Sequence, residues 1–239
     1  MPPIVIGHAA AAGEAPANTL AGVRCSLDAA AEAMEIDVQV SADGIPVLMH
    51  DTTVDRTTNL TGEVRSFSYA TLAAADAGAG EPVPSLDQVL DLVAGRLVVM
   101  CELKATPGDA DHDRRVVDAV VEVIRRHDAV RWTAIHSFNP AMVAQAREAE
   151  PAISAAIISP PVAGEDLDRL LAATVRRGAQ AVSLHFSCVT PETVRRARQR
   201  QLTVWAWTPD TEDDWRRLVE AGVSGIITNL PHRLRAFLG

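Results

Sequence analysis

Residues 34–40 read Met-Glu-Ile-Asp-Val-Gln-Val, and residues 97–104 read Leu-Val-Val-Met-Cys-Glu-Leu-Lys. Both runs are short, rich in β-branched and other apolar residues, and typical of strands that are buried in a parallel sheet. Longer segments rich in Ala, Leu and Arg lie between such runs, and their apolar residues recur at three- and four-residue spacing. This alternation of strand and helix patterns predicts repeated βα units around a parallel sheet.

The same alternation extends along the whole chain. Eight runs predict strands: Ile4–His8, Met34–Val40, Leu97–Lys104, Thr133–Phe138, Ile153–Ser159, Ala181–Phe186, Thr203–Thr208 and Gly225–Thr228. Seven segments predict helices: Leu20–Ala31, Leu86–Val93, Arg115–Arg126, Ala141–Ala149, Leu167–Arg177, Pro191–Gln201 and Thr211–Ala221. Eight strands, nearly all of them followed by a helix, predict an α/β fold of the (β/α)8 TIM-barrel type. We expect this barrel to form one domain over residues 1–239. An open doubly wound sheet is less consistent with the sequence, because no Gly-x-Gly-x-x-Gly motif follows the first strand.

One interval is much longer than the others. Roughly 55 residues separate the second predicted strand from the third, and residues 43–84 within it are rich in Thr, Gly, Asp and Pro. Long irregular segments in compact domains are usually functional or mobile. We therefore interpret residues 43–84 as an insertion after the second strand that covers the mouth of the barrel.

The composition excludes several classes of protein. With 48% apolar and 22% charged residues the chain is typical of soluble globular domains, and a net charge of −9 argues against a nucleic-acid partner. No run of 18 apolar residues is present, and no Lys or Arg precedes Arg24, so we expect a cytoplasmic protein without a stable membrane anchor. The three cysteines are odd in number and widely spaced, which indicates small buried side chains. The oligomeric state is not evident from the sequence.

Acidic residues lie on two of the predicted strands. Because side chains alternate along a strand, Glu35 and Asp37 share one face, and Glu102 and Lys104 share the equivalent face of the next strand. Like charges about 5 Å apart repel by about 3 kcal/mol per pair at an effective dielectric constant near 20. One ammonium group does not offset three carboxylates, so we predict that Glu35, Asp37 and Glu102 bind one divalent cation. Oxygen ligands favour Mg²⁺ or Ca²⁺. The alternative to a metal site is a set of carboxylates with ordinary hydrogen bonds.

Two histidines flank these carboxylates in the sequence. His8 and His50 each end a β-type run, at the end of a barrel where active sites form. Histidine transfers protons near neutral pH, so the pair predicts a general acid and a general base, with Asp51 in a position to orient His50.

Other residues at the strand ends are weaker candidates. Trp207 either forms a flat apolar wall that contacts an alcohol group of the substrate or packs in the core. His185 and His136 either line the pocket or have a structural role. Arg56 is a candidate second cation for a phosphate. Lys104 is the one lysine among 22 basic residues, which indicates a position that requires a compact ammonium group.

In these features the sequence resembles the glycerophosphodiester phosphodiesterase family. The matching blocks run in order over nearly the whole chain: His8, Pro16-Ala17-Asn18-Thr19, Glu35-x-Asp37, Asp43-Gly44-x-Pro46-Val47-x-x-His50-Asp51, Asp55-Arg56-Thr57-Thr58, Pro84-Ser85-Leu86, Glu102-Leu103-Lys104, Trp207-Thr208 and Gly225-Ile226-Ile227-Thr228.

The resemblance implies a metal-dependent hydrolase that converts glycerophosphodiesters, as small-molecule substrates, to glycerol phosphate and an alcohol. The residues matching His8 and His50 are the acid/base pair of the family, those matching Glu35, Asp37 and Glu102 hold the divalent cation, and the one matching Lys104 faces the phosphate. In the mechanism usually proposed for the family, a neighbouring hydroxyl of the substrate attacks phosphorus, and water then opens the resulting cyclic phosphate.

The chain departs from the family pattern at two positions. The family motif His-Arg-Gly is here His8-Ala9-Ala10, and Pro-Glu-Asn-Thr is here Pro16-Ala17-Asn18-Thr19. A charge-assisted hydrogen bond is worth about 1.5–3 kcal/mol, so we expect loss of the arginine to slow turnover roughly ten- to a hundredfold or more unless it is compensated. Loss of both charges instead indicates a paired replacement that widens the pocket for a different diester.

Two alternatives to hydrolysis therefore stay open. One is a catalytically weakened or inactive barrel that binds a phosphorylated ligand, as the alanines at positions 9 and 17 suggest. The other is a lyase in which Lys104 forms a Schiff base. Three nearby carboxylates argue against the lyase, because they raise the pKa of a lysine and keep it protonated.

Overall fold

The computed structural model of the protein describes residues 2–239, in which a ring of strands is surrounded by helices. The strands are β1 (Ile4–Gly7), β2 (Ala33–Val40), β3 (Pro46–Leu48), β4 (Val98–Leu103), β5 (Thr133–Ser137), β6 (Ser154–Ser159), β7 (Ala181–His185), β8 (Thr203–Trp207) and β9 (Gly225–Thr228). The helices are α1 (Leu20–Asp28), α2 (Tyr69–Ala73), α3 (Leu86–Val93), α4 (Ala110–Arg126), α5 (Pro140–Ala149), α6 (Gly164–Arg176), α7 (Pro191–Arg198), α8 (Glu212–Ala221) and α9 (Pro231–Leu238).

Eight parallel strands close into a barrel. They follow the order β1-β9-β8-β7-β6-β5-β4-β2, and the ring closes because β1 also pairs with β2, with Ile6 opposite Ala33. The short strand β3 lies outside the ring and pairs antiparallel with β2, with Leu48 opposite Val38. The predicted fold class, a (β/α)8 barrel with an insertion after its second strand, is confirmed.

Several predicted helix boundaries are wrong by a few residues. Helix α1 ends at Asp28 rather than Ala31, because Ala30 adopts a left-handed backbone with φ +52°. Helix α4 begins at Ala110, five residues before the predicted start, because the Asp109 carboxylate accepts a hydrogen bond from the backbone N–H of His112 and caps the helix. Helices α2 and α9 were not predicted.

The core forms two apolar layers between the strands and the helices. One layer joins β2 and β4 to α3 and α4, and the other joins β7, β8 and β9 to α7 and α8. Inside the barrel a smaller cluster contains Ile6, Met100 and Ile227. No helix within residues 2–239 has both the length and the apolar composition needed to cross a bilayer.

The insertion after β2 has a small apolar cluster of its own. Its buried members include Val47, Val54, Val64, Leu72 and Val83. This cluster fixes the path of the chain between β3 and α3. The segment therefore carries His50 and Arg56 on an ordered support rather than on an unsupported loop.

Ile36 offers a test of the layer that supports the site. Its side chain is fully buried on β2, between the neighbours Glu35 and Asp37 in sequence. We expect Ile36→Ala to lower the free energy of unfolding by about 2–5 kcal/mol in urea titrations, because it leaves a cavity between the barrel and its helices. Val98→Ala on β4 is the control, since Val98 is 37% exposed. Equal losses for the two variants would contradict the described packing.

Candidate active site

The polar residues of three neighbouring strands meet at the C-terminal end of the barrel. Asp37 of β2 lies opposite Glu102 of β4, and Glu102 lies opposite His136 of β5. Glu35 lies two residues before Asp37, on the same face of β2. The strand register therefore places these four side chains next to one another, where active sites of such barrels occur.

Glu35, Glu102 and His136 form a candidate metal site. All three are buried, and one potential ligand atom of each lies within 4.8 Å of the others. Glu35 Oε1 lies 3.5 Å from His136 Nε2, yet within the described part of the chain neither this oxygen nor either ring nitrogen of His136 has a hydrogen-bond partner. Buried polar atoms rarely stay without partners. Two carboxylates and an imidazole are suitable ligands for a divalent cation, so the residues present fit such an ion.

The protonation of Glu35 is consistent with this role. Burial raises the pKa of Glu35, but three neighbours lower this pKa by more than burial raises it. They are the imidazoles of His136 and His8 and the backbone N–H of Ala9, which donates to Glu35 Oε2 at 3.0 Å. The net pKa is about 2. Glu35 is therefore a carboxylate at neutral pH, as a metal ligand must be.

Asp37 has a different set of contacts. Asp37 Oδ2 accepts a hydrogen bond from Asn18 Nδ2 at 2.7 Å, and Asp37 Oδ1 accepts one from Lys104 Nζ at 3.1 Å. Asn18 also accepts a hydrogen bond from the backbone N–H of Asp37 at 3.0 Å. The oxygens of Asp37 are not in the three-residue group of candidate ligand atoms, so Asp37 as a metal ligand stays a prediction.

Lys104 lies between two carboxylates. Its Nζ is 2.5 Å from Glu102 Oε1 and 3.1 Å from Asp37 Oδ1. Burial lowers the pKa of Lys104, but the negative charges of Asp37 and Glu102 raise it above its usual value. The ammonium group therefore stays charged, which agrees with the argument against a Schiff-base lysine.

His8 follows β1 directly, and a hydrogen bond to its Nδ1 atom fixes its ring. Its Nδ1 lies 2.7 Å from Asn229 Oδ1, and Asn229 Nδ2 donates to Asp210 Oδ2 at 2.6 Å. This chain makes Asn229 Oδ1 the acceptor, so His8 Nδ1 carries a proton and its Nε2, 4.0 Å from Glu35 Oε2, is the reactive nitrogen. Burial lowers the pKa of His8, but the charge of Glu35 and the Asn229 contact raise it overall.

His50 is fixed in a similar way. Its Nδ1 donates to Asp51 Oδ1 at 2.6 Å, and Arg56 Nε donates to Asp51 Oδ2 at 2.6 Å. The hydrogen bond from Arg56 lowers the pKa of Asp51 to about 2, so this residue is a carboxylate that orients both neighbours. The predicted role of Asp51 in orienting His50 agrees with this contact.

Two cavities meet at the histidines. The first, which we call the polar cavity, has a volume of about 130 Å³ and is lined by Glu35, Glu102, Lys104, His136, Ser183 and Trp207, among others. The second, which we call the alanine cavity, has a volume of about 200 Å³ and is lined by Ala9, Ala12, Ala17, Ala77, Leu48 and Met49, among others. His8 and His50 are the two residues that line both cavities.

Trp207 forms an aromatic wall of the polar cavity. Its Nε1 donates to the carbonyl oxygen of Ser183 at 3.2 Å, and its ring meets Phe138 and His185 edge-on, at centroid distances of 5.6 and 5.0 Å. His185 lines neither cavity and instead packs against Trp207. Arg56 lines the alanine cavity and is 61% exposed. Substrate binding by Trp207, His185 and Arg56 stays a prediction.

Several residues of the site were not identified from the sequence. Asn18 and Asn229 lie in loops and act through contacts with residues far along the chain. Phe138 is 46% exposed beside Trp207, and the buried Ser183 Oγ has no partner. The one available signal for His136 was its place at the end of a strand, where a structural histidine was an equal interpretation.

Comparison with known proteins identifies the family. Residues 8–233 match the sequence pattern of the glycerophosphoryl diester phosphodiesterase family. The chain belongs to this family. A glycerophosphodiester phosphodiesterase from Caldanaerobacter subterraneus subsp. tengcongensis is 29% identical over 248 residues, which cover 98% of this chain and 97% of that protein. The resemblance predicted from the sequence is confirmed.

Solved structures of the family have the same fold. One is a crystal structure from Silicibacter pomeroyi that is named for glycerophosphoryl diester phosphodiesterase. It has a TM-score of 0.91 at 33% sequence identity, and the match covers 99% of this chain and 92% of that chain. A phosphodiesterase from Oleispira antarctica, solved with the product sn-glycerol-3-phosphate, has a TM-score of 0.88 at 25% identity, covering 99% of this chain and 97% of its own.

The candidate metal site can be tested by direct binding. We expect His136→Ala to weaken binding of Mn²⁺ to the chelator-treated protein about ten- to a hundredfold or more in calorimetric titrations, because it removes one of three ligands. His185→Ala is the matched control, since this imidazole lies outside both cavities. Unchanged affinity in His136→Ala would exclude His136 as a ligand.

Proposed function

We propose that the protein hydrolyses glycerophosphodiesters to glycerol phosphate and an alcohol. The observation that carries the proposal is the pair of histidines, His8 and His50, which line both cavities and whose Nδ1 atoms are each held by an oxygen acceptor. This arrangement leaves each Nε2 available for proton transfer. The family to which the chain belongs supports the same reaction.

The two histidines have complementary roles in the proposed reaction. One imidazole accepts the proton of a glycerol hydroxyl as its oxygen forms a bond to phosphorus. The other imidazole donates a proton to the alcohol oxygen as the bond from that oxygen to phosphorus breaks. The roles then exchange, and water opens the cyclic phosphate to glycerol phosphate. General acid–base catalysis of this kind typically contributes about 10²–10⁴-fold to the rate.

Positive charge is needed beside the phosphate. Lys104 supplies a fixed ammonium group between Asp37 and Glu102. Glu35, Glu102 and His136 would hold one divalent cation, which stabilises developing negative charge on the phosphoryl oxygens when bound. Mg²⁺ or Ca²⁺ stays our prediction for the ion, although the prediction assumed oxygen ligands alone and the imidazole of His136 also suits transition-metal ions.

A second function is favoured by one specific observation. Ala9 and Ala17 line the alanine cavity at the positions where the family pattern has charged residues, so neither contributes a cation or a carboxylate there. A barrel that binds a phosphorylated ligand with little turnover is therefore the alternative. Calorimetric binding of glycerophosphodiesters without product after long incubation would favour it. A cytoplasmic location and a role in lipid metabolism are further predictions.

The acid/base pair is tested by substitution. We expect His8→Ala and His50→Ala each to lower kcat for glycerophosphodiester hydrolysis about 10²–10⁴-fold, because each removes one proton carrier. Circular dichroism should show both variants folded. His127→Ala is the control, since His127 pairs with Asp87 on the outer helices. Wild-type kcat in either site variant would refute the proposed mechanism.

The role of Asn229 in orienting His8 is tested separately. We expect Asn229→Ala to lower kcat about ten- to a hundredfold with little change in KM, because His8 loses the acceptor that fixes its ring and tautomer. Gln145→Ala removes an amide that contacts Asp118 on an outer helix and should leave kcat unchanged. A rise in KM with unchanged kcat would contradict the positioning role.

A further inference from the structure

The alanine cavity differs from the polar cavity in the kind of surface it offers. Its walls contain four alanines, at positions 9, 12, 17 and 77, together with Leu48 and Met49. The short alanine side chains create the space, because larger residues at these positions would fill it. His8 and His50 border the cavity, and the three residues of the candidate metal site, Glu35, Glu102 and His136, line the polar cavity instead.

Apart from the Nε2 atoms of His8 and His50, the polar side chains that line the alanine cavity already have partners. Asn18 and Asp37 bind each other, and Thr57 Oγ1 lies 3.2 Å from Met49 Sδ. Arg56, at the rim, pairs with Asp51. Among the described residues that line this cavity, none has a buried polar side-chain atom without a partner. A polar group placed against the four alanines, Leu48 and Met49 would lose hydrogen bonds to water, because these side chains offer none in return.

The polar cavity has the opposite property. Glu35, His136 and Ser183 line it, and Glu35 Oε1, both ring nitrogens of His136 and Ser183 Oγ lack hydrogen-bond partners among residues 2–239. These atoms can bind a cation or the hydroxyl groups of a ligand. A molecule that spans both cavities therefore has its polar part among these atoms and its apolar part among the alanines.

We propose that the alanine cavity binds an apolar substituent on the alcohol that leaves the phosphorus. This inference rests on the proposed function, and it names the substrate class: glycerophosphodiesters of alcohols that carry a hydrocarbon or aromatic group. Glycerol occupies the polar cavity, the phosphate lies between His8 and His50, and the substituent of the alcohol enters the alanine cavity. An apolar cavity of about 150 Å³ is known to hold benzene, so about 200 Å³ accommodates a benzyl group.

A cationic alcohol suits the cavity less well. The one carboxylate in its lining is Asp37, whose two oxygens are engaged by Asn18 and Lys104. Arg56, which also lines the cavity, is paired with Asp51, so this pair supplies no net negative charge to attract a cation. Charge and hydrogen bonding thus both favour an uncharged apolar group.

The test compares two substrates of the full-length protein. We expect kcat/KM for the benzyl ester of glycerol 3-phosphate to exceed that for the methyl ester about tenfold or more, because the benzyl ring is buried in the alanine cavity. The two leaving alcohols have nearly equal acidity, so the ratio reports binding of the substituent. A ratio near one or below, with both esters hydrolysed, overturns this inference and leaves the proposed function intact. If neither ester is hydrolysed, both this inference and the proposed function are overturned.

Filling the cavity tests its location. We expect Ala17→Leu, and in a second variant Ala77→Leu, to lower the benzyl-to-methyl ratio at least severalfold, because the added side chain occupies the space for the ring. Ala152→Leu is the matched control, since this exposed alanine lies just before β6, at the opposite end of the barrel. A benzyl preference that persists in both filled variants would show that the ring binds elsewhere.

Discussion

Three buried carboxylates at the mouth of the barrel are the constraint on which the site depends. Glu35, Asp37 and Glu102 lie on neighbouring strands with little access to water, where like charges repel strongly. Lys104 compensates Asp37 and Glu102, and imidazoles lie beside Glu35. These contacts still leave Glu35 Oε1 and the His136 nitrogens without hydrogen bonds. The protein alone does not satisfy this cluster, and a divalent cation would.

The rest of the site is built around that cluster from separate parts of the chain. The barrel strands supply the carboxylates, the ordered insertion supplies His50, and the loop after β9 supplies Asn229 behind His8. The imidazoles of His8 and His50 are each held at Nδ1 and border both cavities. The division into a polar and an alanine cavity gives the two arms of a phosphodiester different surroundings, which is how one common reaction centre can select among alcohols.

The sequence predicted the strands and the charged residues on them, because burial and alternation leave a strong local pattern. The eight parallel strands of the barrel and the positions of Glu35 and Glu102 follow from that pattern. His136 could not be assigned to the metal cluster, because its place beside Glu102 depends on the register between β4 and β5. Asn229 was missed because its contact with His8 joins residues 221 positions apart. The alanines at positions 9 and 17 did indicate a wider pocket, but its lining required coordinates.

We expect the carboxylate cluster to act through one bound divalent cation. The most direct measurement is the turnover of glycerophosphodiesters by the wild-type protein after exhaustive chelation, with metal content checked by elemental analysis, followed by titration with a single divalent metal. We expect hydrolysis to be lost on chelation and restored at one ion per chain. Full turnover by the metal-free protein would contradict it.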